Sequence, residues 1–350
     1  MRARLRALIL LAIVLDLPVM RDAAHRLTGR PRVEATTWDG VPVETVRPAG
    51  RGPWPAWVFI NGAHPERRRE PVVTRLSEGL ARAGYLVVVP DLPGLGEGRI
   101  SVNTFEAAVA VSATAAELPD ARHGRVALIG ASMGAGLALL TAARPELADR
   151  ITVVAAVAPF ARLEKLVCLA TTRCYGEDGE RGRYEVAELH RRVVAGSLVA
   201  LLDDGADRER LWGMLDRLEV EGRDPLNLPR DVSGLGETAQ AVVRLLTNDD
   251  ATRFPELYRA LPESMLAVLD QMSPASACAG VSAPVEIVVP PTDVYFPLEE
   301  ALALERALPT ARLTVTSTLD HTRPTASLRR LAELREFDAF VVRGLAAASS

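Results

Sequence analysis

Of the 41 basic residues in this 350-residue chain, only Lys165 is a lysine, and the arginines form no stripe. With a net charge of −4, that leaves no footprint for a nucleic acid partner. Metal chemistry has no obvious ligands either. The three cysteines (Cys168, Cys174 and Cys278) form no C-x-x-C and lie at no metal-ligand spacing from a histidine. Cys168 and Cys174 either pair in an oxidising compartment or stay as buried thiols, and thiols are the expectation. A phosphate loop is missing, and Gly94-Leu95-Gly96 lacks the third glycine of a dinucleotide-binding turn. No cofactor is therefore expected. The chain also lacks an internal repeat and an unbroken apolar run of the roughly 20 residues that a spanning helix needs.

What is present is a globular balance, 48% hydrophobic and 25% charged, in a length suited to one large α/β domain with an insertion or to two domains. Arg2, Arg4 and Arg6 precede an apolar run at 7–15, which Asp16 interrupts and 17–20 extends. The leading reading of this start is an uncleaved membrane anchor, with 7–20 associating with a membrane and the chain held in the cell envelope. A cleaved signal and an amphipathic helix packed on the domain are the alternatives, the last compatible with the cytoplasm.

The most informative stretch is 125–143. Apolar 126–129 runs into Gly130-Ala131-Ser132-Met133-Gly134, followed by a small-residue apolar helix. A G-x-S-x-G arises by chance about 0.1 times in a chain this long. Between a strand and a helix it takes the form of a sharp turn that lifts a serine hydroxyl above a sheet, with glycines where helix and strand approach too closely for a Cβ. Ser132 is the candidate nucleophile.

Around it, Asp39-Gly40 joins two strand-like runs (33–38 and 41–47) as a hairpin. Continuous apolar strands at 56–60, 85–89 and 151–157 alternate with helices at 70–83 and 104–118. That alternation implies a parallel sheet covered on both faces. From 159 to 280 it stops, and helical runs at 184–202, 208–218, 238–246 and 255–272 replace it. It resumes with a strand at 285–289, a helix at 298–308, a strand at 312–316 and a closing helix at 326–345.

On these residues the chain resembles the α/β-hydrolase fold: the Asn61-Gly62 turn, the 91–96 loop, the Gly130–Gly134 elbow, and a late Asp followed by a His. The resemblance implies a mostly parallel, doubly wound sheet with a helical cap inserted after the sixth strand. The segments are then 1–31 (anchor-like), 32–159 and 282–350 (core), and 160–281 (cap). It further implies the order nucleophile, acid, base: Ser132, Asp293 after the strand at 285–289, and His321 after the last strand. Asp320 is a rival acid. Oxyanion donors would be the amides of Ala63 and Met133, and Gly62 and His64 would line the substrate site. The family usually has His-Gly where Asn61-Gly62 stands, so the bonding inside that loop must differ. Asp91 is expected to be structural, and Glu97 replaces a common serine. The implied activity is a serine hydrolase acting on small-molecule or lipid-like carboxylic esters. The alternatives are acyl transfer, cleavage of a thioester, amide or polymer, or a silent membrane-tethered binding protein. The oligomeric state is left open.

Overall fold

The computed structural model describes residues 2–176, 182–229, 232–325 and 331–350. Eight strands form one sheet in the order β1-β2-β4-β3-β5-β6-β9-β10. In chain order they are β1 (Arg32–Trp38), β2 (Val41–Arg47), β3 (Trp54–Ile60), β4 (Leu86–Pro90), β5 (Ala121–Ala131) and β6 (Ile151–Val157). Two short ladder strands follow, β7 (Cys174–Tyr175) and β8 (Gly182–Arg183), before β9 (Val285–Val289) and β10 (Ala311–Val315). The β1–β2 and β2–β4 pairs are antiparallel and the remaining pairs of the sheet are parallel. Asp39 (φ +46°) and Gly40 (φ +82°) make the tight turn of the β1–β2 hairpin.

Strand alternation divides the apolar core in two. Ala56, Val58, Ile60, Val126 and Leu128 pack towards α4 (Val102–Glu117), α5 (Met133–Ala142) and α13 (Leu298–Ala307). Trp57, Phe59, Val87, Ala127 and Ile129 point the other way, towards α1 (Arg2–Val14), α3 (Pro71–Arg82) and α14 (Leu331–Ala347). The start of the closing helix expected at 326–330 lies outside the described residues.

The leading reading of the N-terminus needs correction. The apolar run belongs to α1, a 13-residue helix with Ala7, Leu10 and Ile13 buried against α3 and α14. Asp16 sits in a left-handed turn (φ +49°) that ends it before α2 (Pro18–Leu27). Among the described residues no helix is long and apolar enough to cross a membrane. The packed-helix alternative is the arrangement seen.

Between β6 and β9 lie α6 (Leu163–Thr172), α7 (Glu188–Ala200), α8 (Gly205–Val220), α9 (Glu237–Leu246), α10 (Phe254–Arg259), α11 (Glu263–Gln271) and α12 (Pro274–Ala277). All but α12 share an apolar cluster that includes Leu198, Leu211, Val242, Leu245 and Met265. The helix expected at 255–272 is two helices, because Pro262 takes the N-cap of α11 and lacks the N–H needed to continue α10. α7 begins at Glu188 rather than at 184, since the Tyr184 amide donates to Arg173 O at 2.8 Å. Cys174 is a free thiol, so the Cys168–Cys174 bridge does not form.

Candidate active site

Ser132 caps α5 at φ +54° and ψ −123°, a region costing about 1–3 kcal/mol for a residue with a side chain. Close packing holds it there. A Cβ on Gly130 would fall 2.3 Å from Gly134 O, and one on Gly134 only 2.2 Å from Ile60 O. The Ser132 amide donates to Val157 O at 2.8 Å, pinning the turn to the end of β6.

The acid and the imidazole arrive on separate loops. Asp293 follows β9, and its side chain is 5% exposed. His321 sits at the tip of a small hairpin made by β11 (Leu319–Asp320) and β12 (Arg323–Pro324), with φ +52°. Its Nδ1 lies 2.7 Å from Asp293 Oδ2, while Asp320, the rival, is exposed. The second oxygen, Asp293 Oδ1, accepts from the Tyr295 amide at 2.7 Å. Tyr184 OH donates to the Asp293 carbonyl, and burial with the neighbouring Asp293 carboxylate raises that phenol's pKa. Ser132 and His321 line one cavity of about 840 Å³ of empty space, mouth included. Among the described residues no direct hydrogen bond joins their side chains.

The amides of Ala63 and Met133 have no acceptor among the described residues, and both residues border Ser132 in a second cavity. Gly62 stands against Ser132, its absent Cβ position 3.2 Å from Ser132 Cβ. His64 lies further out on the same rim, its Nδ1 accepting from the Glu66 amide at 3.3 Å. Asn61 does the work left open by the missing histidine. Its Oδ1 accepts from Gly62 N at 2.8 Å and its Nδ2 donates to Arg67 O at 3.1 Å, so one side chain folds the loop. Asp91 is structural, as expected, accepting from the Arg68 amide at 3.0 Å and pairing with its guanidinium. Glu97 pairs with Arg67.

Three side chains here were not singled out from sequence. Tyr295 stacks on His321 with centroids 4.1 Å apart, and Phe296 meets the same ring edge-on at 5.7 Å. His190, on α7, is 4% exposed. Its Nδ1 lies 2.7 Å from Tyr295 O and its Nε2 3.2 Å from Leu166 O; the neutral ring has one N–H, and the shorter contact, to Tyr295 O, ties α7 to the acid loop. Burial pushes its pKa down to about 4, against the upward pull of the two carbonyls. An aromatic two residues past the acid was the available signal for Tyr295. A lone histidine within an apolar helix carries none.

The second cavity runs from Ser132 beneath the helical segment, about 730 Å³ of empty space with its mouth. Leu166, Val167, Val194, Leu198, Leu269 and Met272 give it apolar walls.

A model of the Alpha/beta hydrolase family matches residues 52–334, and the chain belongs to that family. No curated protein is significantly similar to it in sequence. Among solved structures, a 2,6-dihydroxy-pseudo-oxynicotine hydrolase is similar at 17% identity and a TM-score of 0.51, over 95% of this chain and 73% of that one. Porphyromonas gingivalis dipeptidyl peptidase 4 is similar at 14% identity and a TM-score of 0.51, over 94% of this chain but 37% of its own. At such identities these likenesses speak for the fold alone.

Proposed function

We propose that the protein is a serine hydrolase that cleaves carboxylic esters through an acyl-enzyme. The observation that carries this reading is the 2.7 Å His321–Asp293 bond at a cavity that Ser132 also lines. In this reading Ser132 Oγ attacks the ester carbonyl while His321 Nε2 takes its proton. Asp293 holds the Nδ1–H tautomer and stabilises the imidazolium. The tetrahedral oxyanion sits on the Ala63 and Met133 amides, donors that need no reorganisation as charge develops. His321 then protonates the leaving alcohol, and water reverses the sequence. The open Ser132–His321 contact fits unliganded enzymes, in which catalytic hydrogen bonds often tighten only with substrate.

The acyl group enters the apolar cavity under the helical segment, which acts as a cap, while Gly62 and His64 border the mouth. A fluorophosphonate probe should label the protein, and Ser132→Ala should abolish labelling. Unchanged labelling of that variant removes Ser132 from the site. p-Nitrophenyl esters of graded chain length, with thioester and amide controls, then separate ester cleavage from the other uses of the same residues.

A further inference from the structure

We infer that the space enclosed by α1, α3, α14 and the rear face of the sheet is a second binding site, for the hydrocarbon chain of an uncharged amphiphile. The inference deepens the esterase reading by giving a long chain a place beside the nucleophile, but its test does not use turnover. A cleft of about 920 Å³ of non-atom space, open solvent at its mouth included, lies among Leu10, Val14, Leu76, Trp57, Phe340 and Leu345. That exceeds the 730 Å³ reaching Ser132 beneath the cap.

The polar groups of this lining settle the class of ligand. Apart from the Trp57 indole they are Asn61, Glu70 and Thr322, and all three also border the cavity of Ser132 and His321. The polar end of the second site is therefore the catalytic mouth, and its apolar end runs away beneath α1. Trp57 lies four residues down β3 from Asn61, roughly 13 Å at the rise of a strand. No lysine or arginine lines the apolar space among the described residues, and at the mouth Glu70 and Asp320, set against the single Arg323, would repel a carboxylate. The head group is thus a hydroxyl or ester, and the tail is a flexible chain that reaches the depth of Trp57.

The test uses the full chain and dodecanol carrying bromine on its terminal carbon, which quenches indole emission on contact. Saturable quenching is expected, and Trp57→Phe should remove that component. Gly344 lines the space on α14, where a Cβ would meet only Trp57, at 3.8 Å. Gly344→Leu should fill the space and weaken binding at least tenfold, as should Val341→Phe on the same helix. Val268→Trp, which fills the cavity beneath the cap, should leave binding unchanged. The brominated carboxylic acid should bind at least tenfold more weakly than the alcohol. Three results overturn the inference: quenching that never saturates, quenching untouched by both filling variants in folded protein, or quenching abolished by Val268→Trp. Tighter binding of the acid overturns the choice of an uncharged head.

Discussion

The Tyr295 phenol lies flat on the His321 imidazole, planes 24° apart, while the Tyr295 backbone amide donates to the carboxylate that holds that imidazole. One residue thus fixes both the plane of the ring and one oxygen of its acid. Phe296 closes the ring's edge, and His190 holds the Tyr295 carbonyl from the helical segment. In the proposed mechanism the direction of His321 Nε2 depends on this frame as much as on Asp293.

Tyr295→Ala should therefore lower kcat by about 10- to 100-fold with little change in KM, because the imidazole loses its plane while the cavity survives. Tyr295→Phe keeps the stack and should retain most of the activity. Equal loss in both variants would show that the hydroxyl, not the ring, matters.

Asp293→Asn should be more severe, about 10³- to 10⁴-fold in kcat, since an amide no longer selects the Nδ1–H tautomer. Fluorophosphonate labelling should slow in parallel. Asp320→Asn, at an exposed carboxylate that does not hold the ring, should leave both rates near wild type.

The turn that carries Ser132 tolerates no added atom at Gly134. Gly134→Ala would place a methyl 2.2 Å from Ile60 O and 2.3 Å from Asn61 O, both backbone atoms. A loss of about 3 kcal/mol or more is expected in urea unfolding. Any folded fraction should be inactive, because relieving the clash displaces the loop that carries Ala63.

His190 gives the fold a pH signature. Its folded pKa, about 4, lies below the roughly 6.5 of an unfolded histidine. Between those values the unfolded chain binds a proton that the folded chain refuses. Its contribution is complete above pH 6.5 and is lost as pH falls towards 4. His190→Gln should flatten that part of a melting-temperature profile while lowering stability at pH 8. An unchanged slope would show that other groups set it.

Much of this was legible in sequence because it rests on local patterning. Apolar strands such as 151–157 and 285–289 announce a buried parallel sheet, and both fall where expected. The elbow is legible because packing at Gly130 and Gly134 leaves no other choice of residue. Elements defined by distant partners were not legible. The ladder of β7 and β8 has two residues per strand, too few for a period. His190 and Tyr295 lie 105 positions apart and meet only because α7 docks on the acid loop. The N-terminus misled for a related reason: an apolar run flanked by arginines looks alike whether lipid or protein covers it. What distinguishes the two is complementary surface elsewhere in the chain, here on α3 and α14.

That difference yields a last prediction. Gly79 on α3 lets α1 approach so closely that a Cβ there would lie 2.7 Å from Leu10 Cδ1. Arg6 reaches from α1 to Tyr85 OH at 3.2 Å and Ser349 Oγ at 2.8 Å, so the first helix is stitched to the residue before β4 and to the chain just past α14. A helix serving only as a tether would be dispensable: removing 1–16 would release the protein from membranes and leave its melting temperature intact. A helix that covers Leu80 and Phe340 is not dispensable, since its loss bares a contiguous apolar face. Removing 1–16 should lower the melting temperature or leave the protein insoluble. Ile13→Asp, which forces a carboxylate into a site 2% exposed, should cost about 3 kcal/mol or more in the full chain. Leu5→Asp, at a position 62% exposed, should cost almost nothing. A chain indifferent to both the truncation and Ile13→Asp would show that α1 lies off the domain, and the second binding site would lose its roof with it.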